Sequence, residues 1–251
     1  MVSKVADGAV VVDTQYARSA PACIEALKAH GVTSIDVLFN THHHADHTGG
    51  NGVFRAITKR IVAQARVPEL QRAAAAQQTP PVEQVYADAT FGTTWEEEVG
   101  GERITARHYG PGHTGGDGVI TFRKANVVHL GDLVFHELHP RVDRPGGASI
   151  QGWIERLGTL AKEGSHDTRY IVGHAGPGKP IVVGRDALRR QAQYFDAVLS
   201  YVRRAMADGK TKAEVAALQA LHGFESYASF PPILTLEGVL NAAYDELSSR
   251  G

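Results

Sequence analysis

The 251-residue sequence predicts an α/β fold closed by a helical C-terminal extension, and three observations predict it. The opening segment runs strand, helix, strand, which is the order of a crossover unit. Between Glu102 and His129 the pattern changes to short apolar strands separated by tight turns. Beyond Val183 the apolar residues recur almost entirely at helical spacing. No internal repeat or low-complexity linker divides the chain. The expected organisation is therefore one domain over residues 1–251, with a core over 1–183 and an extension over 184–251.

Each element has a local reason. "DGAVVVDT" opens with a turn pair and runs into the β-branched stretch Val10 to Val12, a buried strand. "SAPACIEALKAHG" is a helix with Ser19 as N-cap, Pro21 in its first turn and Gly31 ending it. "SIDVLFN", Ser34 to Asn40, is the next strand and delivers the chain into "NTHHHADHTGGN". A short helix in "GGNGVFRAI", a strand in "RIVAQ" and an Ala-rich helix in "PELQRAAAAQQ", stopped by Pro80 and Pro81, follow. "ERITARHY", "DGVITFRK" and "NVVHLGD" read as antiparallel strands, with "KAN" as a hairpin turn. "IQGWIERLGTLAKEG" carries Ile150, Trp153, Ile154, Leu157 and Leu160 at helical spacing, and "TRYIVGHAGPG" is a strand ending in a Gly-rich loop. Arg185 to Ala207 is a long helix, "TKAE" at Thr211 to Glu214 fits a capping box, and Thr235 caps a last helix.

Composition excludes several function classes. Lys plus Arg is 26 against 27 for Asp plus Glu, so the net charge of −1 offers nothing to neutralise phosphates and nucleic acid is not an expected partner. The single cysteine, Cys23, excludes an internal disulfide and a Cys-rich metal site, and falls on the apolar side of the first helix. No apolar run approaches the roughly 18 residues that span a bilayer, and "MVSKVADGAVVVDT" holds no signal peptide. These features read as a soluble chain, cytoplasmic as it stands and periplasmic if its N-terminus is truncated.

The 13 histidines are the compositional oddity, and four of them crowd one loop: His42, His43, His44 and His47, with Asp46 among them. Neighbouring imidazoles repel once protonated, but metal-bound rings stay neutral, so a metal site makes the crowding tolerable. In extended backbone, residues two apart project the same way. His42 and His44 can thus reach one ion while His43 points elsewhere, and Asp46 and His47, after the turn, can face a second. Completing two coordination shells needs further donors. His113 in "GPGHTGGD", Asp132 in "HLGDLVF" and His174 in "IVGHAGPG" are the candidates: each follows an apolar strand and is flanked by small residues that allow close approach.

Taken in order, "VVVDT", "THHHADH", "GPGHTGGD", "HLGDLVF" and "IVGHAGPG" resemble the metallo-β-lactamase superfamily over roughly residues 8 to 180, the second block matching its His-x-His-x-Asp-His signature. The resemblance implies an αββα sandwich, with the metal site at one edge of two facing sheets. It implies that His42, His44 and His113 bind a first metal, that Asp46, His47 and His174 bind a second, and that Asp132 bridges them. Two Zn²⁺ ions are the implied cofactors, with iron or manganese as alternatives. The implied chemistry is attack by a metal-bridging hydroxide on a carbonyl of a small ester, thioester, lactone or lactam. Asp46 would also orient the nucleophile and pass a proton to the leaving atom. A bridging Asp132 looks more like hydroxyacylglutathione hydrolases and lactonases than the lactamases proper. The same ligand set also serves di-iron redox proteins of this fold and metal-dependent phosphodiesterases or nucleases, which stand as the alternatives.

Residues around the motifs receive plainer readings. His43 occupies the variable position of the signature and is expected to support the ligands from behind or face solvent. His129 is structural, and Asp13 orients the metal loop through hydrogen bonds. His136 and His139 follow Asp132 and are expected to contact a small-molecule substrate at the pocket mouth. His30, His108, His166 and His222 lie outside the motifs. Only seven residues precede Gly8, where the superfamily usually has an opening hairpin, so the N-terminal strands are expected to be shortened. The edge this leaves open is compatible with a homodimer.

Overall fold

The computed structural model describes residues 1–5, 8–79 and 83–249. The stop expected at Pro80 and Pro81, and Asp7 of the expected turn pair, lie outside these residues. Two compact units emerge: residues 1–109 with 116–131, and residues 110–115 with 132–251. The helices beyond Val183 belong to the second.

The first unit is built on a five-stranded sheet in chain order. The residues ahead of Gly8 supply one opening strand: β1 (Val2–Val5) pairs antiparallel with β2 (Gly8–Val12). Helix α1 (Ala20–Ala29) returns the chain to β3 (Val37–Asn40), parallel to β2, which is the expected crossover. Ser19 precedes α1, but its hydroxyl donates to the Tyr16 carbonyl (3.1 Å) rather than capping the helix. Two short helices, α2 (Ala45–Thr48) and α3 (Asn51–Phe54), lead to β4 (Ile61–Gln64), and α4 (Arg66–Ala76) precedes β5 (Ala89–Phe91). β4 lies parallel to β3, and β5 parallel to β4.

Burial on both faces explains why β2 to β4 read as continuous apolar runs rather than alternating ones. On one face Ala9, Val11, Leu38 and Ile61 pack with Ile24 and Leu27 of α1, and Cys23 sits half-buried against this cluster. On the other, Phe39 meets Trp95 edge to face, 5.0 Å between ring centroids. Trp95 lies on β6 (Thr94–Val99), the first of an antiparallel run continued by β7 (Glu102–Arg107), β8 (Val119–Phe122) and β9 (Val127–His129). The hairpin turn at Lys124–Asn126 sets Asn126 at φ +52°, a conformation asparagine tolerates.

In the second unit β10 (Phe135–His136) is followed by α5 (Ile150–Glu163), β11 (Arg169–Ile171), β12 (His174–Ala175) and β13 (Val182–Val183). β10 pairs parallel with β12, so the residues after Asp132 run beside His174, and β11 pairs antiparallel with β13. α6 spans Arg185–Ala207, the predicted limits, and packs on α5 through Trp153 and Phe195, whose rings lie 4.5 Å apart. α7 (Lys212–Ala216) has the predicted capping box, Thr211 with Glu214, and Thr235 caps α8 (Leu236–Ser248) by accepting from the Gly238 N–H. Among the described residues no helix is long and apolar enough to cross a membrane.

Candidate metal centre

Each unit carries its own set of converging imidazoles and carboxylates. In the first, β3 ends at Asn40 and the chain turns through Thr41–His44 into α2. Asn40 and Asn51 close this turn: the Asn51 amide donates to Asn40 Oδ1 (2.8 Å), and the Asn40 amide donates to Asn51 Oδ1 (3.1 Å) and to the His47 carbonyl (3.3 Å). Thr14 adds its backbone N–H (2.9 Å) and hydroxyl (3.1 Å) to the same carbonyl. The loop is thereby held before any ligand arrives, which lowers the ordering cost of binding one.

Asp13 then sets the chemistry of the rings. It follows β2 at φ +61°, a left-handed conformation that aspartate tolerates, and its carboxylate turns toward the loop. Oδ1 accepts from the Thr41 N–H (2.8 Å), while Oδ2 accepts from the Thr41 hydroxyl (2.8 Å) and from His47 Nδ1 (2.7 Å). A carboxylate can only accept, so His47 carries its proton on Nδ1 and keeps the Nε2 lone pair. Thr41 has one hydroxyl proton and gives it to Asp13. His42 Nδ1, 3.0 Å from Thr41 Oγ1, must therefore donate, and His42 too keeps its lone pair on Nε2. That atom lies 3.0 Å from His44 Nδ1. His44 Nδ1 either donates its proton to that lone pair or, when unprotonated, can share a cation with it. Asp46 Oδ2 is 3.4 Å from His47 Nε2 and partly open to solvent.

The second unit repeats the logic. His113 is fully buried, and its Nδ1 lies 2.9 Å from the Arg141 carbonyl, which can only accept, so Nε2 again keeps the lone pair. Asp132 (4 % exposed) turns Oδ2 to within 3.5 Å of His113 Nε2 and 3.2 Å of His174 Nε2. Phe135 stacks on His174 at 5.2 Å and 16°, and Trp153 meets His113 at 5.4 Å. Asp132 reaches this place because Gly131 precedes it at φ +53°, where a Cβ would come within 2.8 Å of the Thr41 side chain.

These donors fit a metal. Four pairs, His42 with His44, Asp46 with His47, Asp132 with His113 and Asp132 with His174, each bring their ligand atoms within 4.8 Å. Imidazole nitrogen and carboxylate oxygen without thiolate suit zinc, iron or manganese.

The same order of motifs carries a family. The description of the metallo-beta-lactamase superfamily matches residues 2–174. The chain belongs to the metallo-beta-lactamase superfamily. Solved structures share the metallo-beta-lactamase fold: a metallo-beta-lactamase from Pontibacter korlensis at 21% identity and TM-score 0.63, covering 78% of this chain and 85% of that one. The metallo-beta-lactamase IND-7 is similar at 20% identity and TM-score 0.63, over 78% and 84% of the two chains. A double mutant of the sec-alkyl sulfatase PisA1 aligns with 98% of this chain but 46% of its own, at 17% identity and TM-score 0.73. No curated protein matches the sequence significantly.

The residues flanking the motifs resolve as follows. His43 does not face solvent: it is buried, its ring 4.5 Å from that of His44. Its backbone carbonyl accepts from the Thr48 hydroxyl, so the turn draws it inward. His129 is buried and accepts from the Gly131 N–H through Nδ1 (3.1 Å). His136 lines a cavity of about 820 Å³ with Phe135, Glu137, Arg190 and Tyr227. His139 is buried with Nδ1 2.8 Å from the Tyr194 hydroxyl and Tyr227 alongside, and burial pushes its imidazole down to about 4. Sequence reasoning missed Thr41 as the link between Asp13 and His42. It also missed the asparagines that begin and end "NTHHHADHTGGN", where their symmetric placement was the available signal.

Proposed function

We propose that the chain is a dinuclear zinc hydrolase acting on a small ester, thioester, lactone or lactam. In this reading the two half-sets serve one centre: His42, His44 and His113 hold a first cation, Asp46, His47 and His174 a second, and Asp132 bridges them. The observation that carries it is where the ring nitrogens find their partners. His42, His47 and His113 each commit Nδ1 to an oxygen of the protein and reserve Nε2, the arrangement by which proteins prepare histidines for metal. Bound ions would supply a hydrolytic nucleophile from water at neutral pH and polarise the substrate oxygen.

The chain's own residues do the rest. Asp13 and Thr41 hold the rings in the ligating tautomer, and the Arg141 carbonyl does so for His113. Asp46, partly open to solvent, orients the attacking group and takes up or delivers the proton at its carboxylate. Fold likeness leaves the substrate open, so the test is a panel of thioesters, lactones, a chromogenic cephalosporin, bis-phosphodiesters and a secondary alkyl sulfate, assayed beside elemental analysis. Zinc-dependent turnover of a carbonyl substrate is expected. Iron with no hydrolysis of any of them would overturn the reading in favour of redox chemistry.

A further inference from the structure

We propose that Glu246, on the C-terminal helix α8, is a positioning residue for the metal-ligand loop around His113. The proposal rests on the reading of His113 as a ligand, but its first consequence can be measured without metal.

The reasoning begins at the N-terminus of α5. A helix leaves four N–H groups without partners inside the helix, those of its N-cap and of its first three residues. Here every one has a partner. The N-cap residue Ser149 donates its backbone N–H to the Gly112 carbonyl (3.0 Å), one residue before His113. Ile150 N and Gln151 N donate to Glu246 Oε2 and Oε1, at 2.7 and 3.1 Å. Gly152 N donates to Ser149 Oγ (3.0 Å), whose own proton goes to Glu246 Oε1 (3.3 Å). One helix end is thus closed on one side by the His113 loop and on the other by a carboxylate 96 residues away from Ile150.

Burial shows that this is no surface contact. Glu246 is 2 % exposed on the packed face of α8, beside Val239 and Ala243. The Arg144 guanidinium reaches its Oε2 at 3.1 Å and also donates to the Ala148 carbonyl, so the carboxylate grips the segment before α5 as well. That segment holds the His113 loop at two further points: the Arg141 carbonyl accepts from His113 Nδ1, and the Gly146 carbonyl accepts from Gly115 N (2.8 Å). Contact is close enough that a Cβ on Gly152 would stand 2.6 Å from the Pro111 carbonyl. A charged acceptor at a helix N-terminus also interacts favourably with the helix dipole. The helical extension thereby acquires a defined role: it delivers one carboxylate that fixes the strut on which His113 hangs.

Glu246→Ala and the gentler Glu246→Gln, which keeps one acceptor oxygen, test this. Lys212→Ala serves as control, because it removes the exposed Lys212–Asp245 pair between α7 and α8 without touching the cap. In metal-free protein, amide hydrogen exchange at Gly112–Gly115 should quicken by about tenfold or more in Glu246→Gln and further in Glu246→Ala, and stay unchanged in Lys212→Ala. Competition with a chelator should then show the affinity for zinc lowered by about 10–100-fold at one of two equivalents, the cost typical of losing a supporting residue. Faster exchange confined to α8, with the His113 loop unaltered in Glu246→Gln, would overturn the proposal, as would undiminished zinc affinity in that variant. Failure of the parent protein to bind zinc would sink the metal reading instead, leaving the exchange result to judge the strut.

Discussion

Replacing Asp13 by Asn isolates the proton bookkeeping of the first unit. The side chain keeps its size, and asparagine tolerates the φ of +61° as well as aspartate does, so neither a cavity nor backbone strain confuses the result. What changes is one acceptor oxygen into a donor. If the amide nitrogen takes the place of Oδ2, it faces the Thr41 hydroxyl and His47 Nδ1. His47 must then accept there and move its proton to Nε2, the atom reserved for metal. If the nitrogen takes the place of Oδ1 instead, two donors meet at the Thr41 N–H. The second case loses a buried bond, costing about 1–3 kcal/mol of stability in metal-free protein, while the first keeps the bonds but exchanges charge-assisted ones for weaker neutral ones. Zinc affinity should fall by about 10–100-fold. Long-range proton–nitrogen NMR of the metal-free protein near pH 8 reads the tautomer directly, and chelator competition reads the affinity. A parent protein with the His47 proton already on Nε2, or a variant that binds zinc undiminished, would refute the reasoning.

Two further outcomes follow from the geometry. Gly131→Ala combines a left-handed φ, worth about 1–2 kcal/mol, with a close contact on the Thr41 side chain; thermal unfolding should drop by roughly 2–8 °C and zinc affinity should fall with it. An unshifted melting temperature would contradict this. His139 is held neutral by burial, with its folded value depressed from 6.5 to about 4. The unfolded chain therefore binds a proton that the native one refuses, and native stability should decline as pH falls from about 6.5 to 4, by on the order of 3 kcal/mol in total. His139→Gln should flatten that slope in urea unfolding; an unchanged slope, or an NMR titration midpoint for His139 near 6.5, argues against it.

The elements that announced themselves in the sequence did so through local physics. α6 kept its predicted limits because its apolar stripe and Gly184 boundary are local features, and the capping box of α7 needs only Thr211 and Glu214. β6 escaped notice because "TWEEEV" carries three consecutive glutamates; its pattern emerges only in the sheet, where Trp95 packs on Phe39 and Glu97 pairs with Arg60. Tyr194 and Gln191 are buried on α6 for a similar reason, each finding a polar partner far along the chain, His139 and the Phe135 N–H. At the site, the proposed ligands were legible because they stand in loops dense in glycine and histidine. Their supports were not: a backbone carbonyl such as that of Arg141 has no sequence signature, and Glu246 looks like any helical glutamate until α5 is placed beside it.

Metal content of the parent chain beside that of Asp132→Ala tests the central claim most directly, since Asp132 is the one residue assigned to both cations. Two equivalents per chain are expected in the parent, and fewer than two in the variant after equilibrium dialysis. A variant that retains two full equivalents, or a parent that holds none, would contradict a dinuclear centre built from these seven side chains.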